Sequence, residues 1–431
     1  MNLTFLTSAD LHLGRASAAA QLADSSPGPE HSVTHSVASA SYAWHQMVDV
    51  AIKKKVDAVL LAGDIIDRDN RYFEARTALL SGFNRLSDAG IPVILVAGNH
   101  DHTVLPELLR NNPVHGVTLL GEGGVWQEHV LRIRGAAVSF VGWSFPSPSV
   151  RYKPLQQFAL QPESRHCIGL IHGDFGLDDS PYAPLASEDF QKSPARCWVL
   201  GHIHKPEILM QDPLCYYPGS PQALSAKETG SHGCNLLRVT ETTVDVEPIT
   251  ISSVRYERIF VDVSGVEDLA RAQAVIQQAL QRTVHELDGV HLRELVADLI
   301  FTGTLSDITL PDSWEIESSL GEFSGILATI RKTENRCTAS LGNLDELATE
   351  AGPAGILAQA LLNLQSGQDS EFLQALRQKA VSQMDAVHAM GAYAPLAQAG
   401  LLHPRHELDS LLAAECERML SALIQTRSEA G

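Results

Sequence analysis

The stretches 56-VDAVLLAGDIIDR-68 and 92-PVILVAGNHD-101 decide the fold. Each is a short apolar run that ends at glycine and passes into acidic, amide or imidazole side chains. Residues 56–62 and 92–97 read as strands, and a helix is expected between them near 71–89. Upstream, 3–8 is a β-rich run, and 41–55 has helical spacing through Trp44, Met47, Val48, Ala51 and Ile52. This βαβαβ rhythm implies a parallel core sheet with polar loops at the carboxyl ends of its strands. Open α/β sheets place their ligands at such ends.

From about Val117 the pattern changes to short β runs separated by Gly and Pro: VTLL, HVLRIRG, AAVSFVGW, CIGLIHG and CWVLGHIH. PLCYYPGS, CNLLRVT and TTVDVEPI follow and read as antiparallel strands. A second sheet packed on the first is the economical reading. Residues 253–342 then suggest a small αβ module, with a helix around 266–284. Beyond Asn343 the chain is helix-like over 344–364, 371–389 and 408–423, with breakers in AGPAGI, MGAYAPL and LLHPR. The expected domains are therefore 1–252, 253–342 and 343–431.

A chain of 431 residues is too long for one ordinary core, and 44% hydrophobic with 19% charged residues excludes disorder. Six cysteines without a C-x-x-C pair argue against a disulfide framework or a zinc ribbon and fit a reducing cytoplasm. The opening MNLTFLTSADLHLG lacks a basic n-region and reads as a strand entering a polar loop, not as a signal peptide. No apolar run reaches membrane-spanning length, so no membrane partner is expected. The formal charge of −19 gives no bulk support for nucleic-acid binding. Residues 1–252 carry 26 acidic and 19 basic side chains and 253–431 carry 25 and 13, so the excess is larger in the second part. Any DNA surface must be local.

Five polar clusters follow the expected strands: Asp10-Leu-His12, Gly63-Asp64-Ile-Ile-Asp67, Gly98-Asn99-His100-Asp101, His172-Gly173-Asp174 and Gly201-His202-Ile-His204. Carboxylate, amide and imidazole together suit manganese, iron or zinc better than calcium. Alternation along an extended segment would put Asp10 and His12 on one side, and His202 and His204 likewise. Asp64 could bridge two ions, with Asn99 and His172 completing the coordination of the second. Singly, each cluster is ordinary: a capped loop, a helix start, a turn. Five in this order, each after an apolar β run, point to a metal site.

The series D-x-H, G-D-x-x-D, G-N-H-D, H and G-H-x-H resembles the calcineurin-like metallophosphoesterases. Within them, SADLHLGR (8–15), AGDIIDR (62–68), AGNHD (97–101), GHIHKP (201–206) and YPGSPQ (217–222) are most similar to SbcD-like and YhaO-type DNA repair exonucleases. The resemblance covers residues 1 to about 250. It implies a four-layer αββα sandwich followed by an αβ capping module and a helical region. By the same resemblance, Asp10, His12, Asp64 and His204 hold one divalent ion, and Asp64, Asn99, His172 and His202 the other. Manganese is the expected metal, with iron or zinc as alternatives. His100 would face the scissile phosphate as general acid, and Asp101 would orient it. The implied reaction is attack by a two-metal-activated hydroxide on a phosphodiester. Asp67 carries only a supporting role beside a ligand in this reading.

Arg15, Arg68 and Lys205, with Arg71, Arg151 and Lys153, are expected near the metal face, where they would contact phosphates. Trp143, Tyr216 and Tyr217 either stack bases or pack in the core. The resemblance implies DNA as substrate, a coiled-coil ABC-type ATPase subunit as partner, a homodimer as one assembly, and a cytoplasmic location. Leu357, Ala360, Leu361 and Leu364 form a stripe that either docks a partner helix or fills its own core. Two other functions stay open: a phosphodiesterase or phosphatase for nucleotides or other small substrates, and a regulatory subunit of an ATPase complex.

Overall fold

The computed structural model describes residues 2–15, 39–67, 72–287, 291–307, 309–317, 319–388 and 408–429. In chain order it contains β1 (Asn2–Ser8), α1 (Ala40–Lys54), β2 (Ala58–Ala62), α2 (Tyr72–Asp88), β3 (Val93–Val96), α3 (Val104–Asn111) and β4 (Val117–Leu119). Then come β5 (Gln127–Ile133), β6 (Ala136–Trp143), β7 (Cys167–His172), α4 (Ser187–Lys192), β8 (Cys197–Gly201), β9 (Glu207–Gln211) and β10 (Leu214–Tyr217). The next two strands are β11 (Gly233–Thr240) and β12 (Val244–Thr250). One six-stranded sheet has the order β12-β11-β1-β2-β3-β4 and the other β5-β6-β7-β8-β10-β9.

The strands β1 to β4 run parallel, as do β6, β7 and β8. Strands buried on both faces read as continuous apolar runs, and alternation then sorts their side chains between two layers. In β2, Ala58, Leu60 and Ala62 enter the layer between the sheets, where they meet Phe140, Leu170 and Val199. Val59 and Leu61 face the opposite way, toward the helices. There α1 brings Trp44, Met47, Val48 and Ala51, spaced i, i+3, i+4 and i+7 along a single face, and α2 brings Leu79 and Phe83. The other sheet is covered on its outer side by Phe190 of α4 and by Leu155. Each such buried Leu or Phe contributes roughly 1.5–3 kcal/mol relative to exposure. Helix, sheet, sheet and helix make the αββα sandwich that the resemblance implied.

Strand placement differs from the sequence reading in one respect. CNLLRVT and TTVDVEPI do not extend the second sheet; they form β11 and β12 and pair antiparallel onto β1. By contrast β10, from PLCYYPGS, stays in the second sheet, antiparallel to β9 as read and parallel to β8 on its other edge. Leu237 and Val239 enter the inter-sheet layer while Cys234 and Leu236 face the helices, an alternation that either sheet would have satisfied.

After β13 (Val254–Asp262) come α5 (Leu269–Glu286), β14 (Glu294–Thr302), β15 (Thr304–Leu305), α6 (Leu310–Ser313), β16 (Ser319–Phe323), β17 (Ile326–Asn335) and β18 (Thr338–Ala339). The order β13-β14-β17-β16 forms a four-stranded sheet. The C-terminal region is helical: α7 (Leu344–Leu347), α8 (Pro353–Ser366), α9 (Glu371–His388) and α10 (Leu408–Glu429). The expected helix over 344–364 is broken at Gly352, which has φ 115°, with Pro353 opening α8. The chain divides into two compact units, one of 1–258, 280–298 and 318–332, the other of 259–279, 299–317 and 333–431. Among the described residues no helix is long and apolar enough to cross a membrane.

Candidate metal centre

The five clusters leave the carboxyl ends of β1, β2, β3, β7 and β8, all parallel strands of the two stacked sheets. Sheet packing therefore brings together side chains that lie up to nearly two hundred residues apart. Ligand atoms of Asp10, His12 and His204 all lie within 4.8 Å of one another, and so do those of Asp10, Asp64 and His172. Asp64 Oδ2 lies 3.8 Å from His12 Nε2 and 3.4 Å from His172 Nε2, so Asp64 also reaches both groups. Asn99 Oδ1 is 3.1 Å from His172 Nε2.

Alternation does not bring Asp10 and His12 together, as the sequence reading supposed. The strand stops at Ser8, and Asp10, His12 and Asp64 sit in the left-handed region at φ 54°, 46° and 51°. His202 has φ 108° and lies beyond the end of β8. Such conformations are costly for non-glycine residues and cluster at functional sites. Short turns, not an extended segment, aim these side chains.

The imidazoles are held by groups outside the two clusters of donors. His172 Nδ1–H donates to the Ala62 carbonyl at 3.0 Å, which leaves Nε2 facing the oxygens of Asn99 and Asp64. His204 Nδ1–H donates to Glu228 Oε1 at 3.2 Å, and its Nε2 lies 3.2 Å from His12 Nε2. His202 Nε2 lies 3.3 Å from Asp174 Oδ1, which leaves Nδ1 as its lone-pair nitrogen. The backbone N–H of His202 donates to both oxygens of Asp10, at 3.0 and 3.1 Å.

Charge in this cluster is unbalanced. Burial raises the Asp10 carboxyl and pushes His12 down to about 3. Burial would also raise Asp64, but the charge of and hydrogen bond from His172, with His12 and His100, hold it well below the carboxylate range. Burial alone would lower His172; the Asp64 carboxylate overrides it and pushes His172 up to about 9. A proton thus sits where imidazole nitrogen meets two oxygens. Buried carboxylates and outward-held lone pairs converging with too few protons form a divalent-cation donor set. The residues fit the two divalent ions that the resemblance implies.

Asp101 takes a different place from the one expected. Its buried carboxylate does not hold the His100 ring. Oδ1 accepts from Gly98 N at 2.7 Å, and Oδ2 accepts from Ile65 N at 2.7 Å and Ile66 N at 3.3 Å. It fastens the Asp64 loop to the Asn99-His100 loop. Burial, with the charge of Asp64, pushes this carboxyl up to about 7 against the pull of those amides. His100 donates its backbone N–H to Asp64 Oδ1 at 2.9 Å, and its ring stands edge-on to His12 with centroids 5.0 Å apart. Among the described residues, its ring nitrogens have no hydrogen-bond partner. The loops approach so closely that a Cβ on Gly98 would lie 2.2 Å from Asp64 Oδ1.

Of the remaining expected residues, Arg15 is half-buried beside the His12 loop, Lys205 and Arg151 are exposed, and Lys153 pairs with Asp178 at 2.7 Å. Arg68 and Arg71 lie outside the described residues. Asp67 Oδ2 is 3.9 Å from His12 Nδ1, too far for a direct bond. Trp143, Tyr216 and Tyr217 are buried; Tyr216 shares a hydrogen bond with Thr7, and Tyr217 donates to the Gly173 carbonyl. They pack the core. Sequence reasoning missed Glu228 altogether and gave Asp174 no task, although the H-G-D triplet had marked Asp174.

Residues 3–206 match the calcineurin-like phosphoesterase family, and with this fold and site they form a metallophosphoesterase domain. The chain is accordingly a hydrolase. It is 27% identical to the metallophosphoesterase YhaO of Bacillus subtilis over 336 residues, 77% of this chain and 78% of that protein. It is 39% identical over 198 residues to the DNA double-strand break repair protein Mre11 of Sulfurisphaera tokodaii, 43% of this chain and 48% of that protein. With the SbcD component of the SbcCD nuclease from Rhodobacter capsulatus it shares 26% identity over 246 residues, 44% of this chain and 58% of that protein. The chain thus spans about half the length of these Mre11 and SbcD relatives.

Proposed function

We propose that the chain is a metal-dependent phosphodiester hydrolase acting on DNA, a repair exonuclease or endonuclease. The observation that carries this reading is the convergence of buried Asp10, His12, Asp64 and His172 with Asn99, His202 and His204 at the ends of parallel strands. The Mre11 and SbcD relatives, a DNA-break repair protein and a nuclease component, support DNA as the substrate. Asp10, His12, Asp64 and His204 are assigned to one cation and Asp64, Asn99, His172 and His202 to the other, with manganese favoured. When bound, the pair supplies Lewis-acid charge that acidifies water and neutralises phosphate oxygens.

The chain's own residues do the positioning. Ala62, Asp174 and Glu228 fix which nitrogen each histidine presents. Asp101 keeps the loops of Asp64 and His100 in register. His100, half-buried and with neither ring nitrogen bonded among the described residues, donates the proton to the leaving oxygen, an effect worth roughly 10²–10⁴-fold. Arg15, Arg68 and Lys205 contact backbone phosphates without reading sequence. Residues 1–252 form the catalytic domain in this reading, 253–342 a capping module, and 343–431 the region that meets a coiled-coil ATPase. A homodimer and a cytoplasmic location belong to the same reading.

The test is Mn²⁺-dependent turnover of end-labelled DNA beside a nitrophenyl phosphodiester and cyclic nucleotides, for wild type and His100→Ala. Loss of DNA cleavage in the variant, by 10²-fold or more with metal retained, supports the reading. Hydrolysis of only the small diesters replaces it with a small-substrate enzyme. Silence on every substrate, with metal bound and the ATPase supplied, replaces it with a regulatory subunit.

A further inference from the structure

We infer that Glu228 is a positioning residue for His204, setting the affinity of the cation site that His204 serves and tying that site to β13. The inference rests on the metal-site reading above. Glu228 lies beyond the residues that match the phosphoesterase family, 3–206, so the family core does not supply it.

The carboxylate is built into place before it meets the histidine. Oε2 accepts from Leu224 N at 2.8 Å, Oε1 accepts from Ser225 Oγ at 3.0 Å, and Glu228 N–H donates to the Ser225 carbonyl at 3.0 Å. Oε1 also accepts from His204 Nδ1 at 3.2 Å, and no other described group bonds that nitrogen. An acceptor on Nδ1 fixes the tautomer, so the Nε2 lone pair must face Asp10 and His12, and it makes that nitrogen a stronger donor to a cation. The same segment grips the histidine's backbone. Ser220 N–H donates to the His204 carbonyl at 2.9 Å, and a Cβ on Gly219 would lie 2.6 Å from that oxygen.

The outer side of the segment is anchored on the strand that follows the family domain. Gln222 Oε1 accepts from Ser253 N at 3.1 Å and from Ser253 Oγ at 3.2 Å. Gly230 N–H donates to the Tyr256 carbonyl at 3.1 Å, and Ala223 packs with Val254, Tyr256 and Val296. His204 is therefore steadied through one short segment whose other edge rests on the start of β13. A displacement of β13 would reach the metal centre through Glu228.

The experiment is Mn²⁺ titration calorimetry on the full chain, with wild type, Glu228→Ala, Glu228→Gln and Asp64→Asn, together with melting temperatures in chelator. The expected result for Glu228→Ala is one of two Mn²⁺ sites weakened about 10–100-fold and the other unchanged. Glu228→Gln should fall between, and in chelator Glu228→Ala should melt a few degrees below wild type, because Leu224 N and Ser225 Oγ lose their acceptor, with Glu228→Gln closer to wild type. Wild-type affinity at both sites in both variants overturns the inference. So does equal weakening of both sites, which marks a turn support. If Glu228→Ala does not fold, Glu228→Gln decides on the same criteria. Wild type without Mn²⁺ binding that Asp64→Asn removes would instead sink the metal-site reading itself.

Discussion

Asp101→Asn separates a structural clamp from a catalytic partner. In the fold, the buried carboxylate accepts from Gly98 N on one oxygen and from Ile65 N and Ile66 N on the other. Asparagine keeps one oxygen and presents NH₂ with the other end. If the oxygen stays on Ile65 and Ile66, the NH₂ group meets the Gly98 N–H, donor against donor. One charge-assisted bond of about 1.5–3 kcal/mol is lost, and a buried N–H is left unsatisfied at a further ~1–3 kcal/mol. The expected cost is about 2.5–6 kcal/mol. At roughly 2–4 °C per kcal/mol for a domain of this size, the metal-free protein should melt about 5–24 °C lower. Melts at pH 8 keep the carboxylate ionised, because burial pushes it only to about 7. Metal content should fall with stability, since the clamp joins the Asp64 and Asn99 loops. An Asp101→Asn protein that melts like wild type without metal, binds Mn²⁺ normally and yet loses hydrolysis would refute the clamp. It would restore the role of orienting His100.

Two further outcomes follow from the close packing and the charge balance of the site. In Gly201→Ala, the new Cβ would lie 1.9 Å from the Ala62 carbonyl and 2.6 Å from His172 Nδ1, displacing the bond between them. About 1–3 kcal/mol of overpacking should appear as a lower melting temperature, with reduced Mn²⁺ content by elemental analysis; a wild-type melt would count against the geometry. His172 is pushed up to about 9, so near pH 7.5 it carries a proton in the metal-free protein that a cation must expel. Calorimetry in buffers of different ionisation enthalpy should therefore register proton release on Mn²⁺ uptake, diminishing above pH 9. No buffer dependence at pH 7.5 would show His172 to be neutral beforehand.

Much of this was legible in the sequence because the chemistry is local. A strand such as AVLLA, closed by Gly63 and followed by Asp64, announces both its burial and its loop, and five such junctions in order identify the family. What sequence could not show depends on partners distant in the chain. The alternating faces of β11 fit either sheet, so its pairing with β1 was hidden. The turns that aim Asp10 and His12 are left-handed, a choice that neither residue type requires. Asp101 reads as a neighbour of His100, yet its three partners are backbone amides, which leave no trace in residue type. Glu228 stands 24 residues beyond His204 in a stretch with no strand-end pattern, and only the folded segment brings it to the imidazole.

The central claim is that these side chains hold a pair of divalent cations, and anomalous scattering from crystals grown with Mn²⁺ tests it most directly. The account predicts two peaks, one among Asp10, His12 and His204 and one among Asp64, Asn99 and His172. No peak within this cluster, or peaks only elsewhere on the chain, would contradict it.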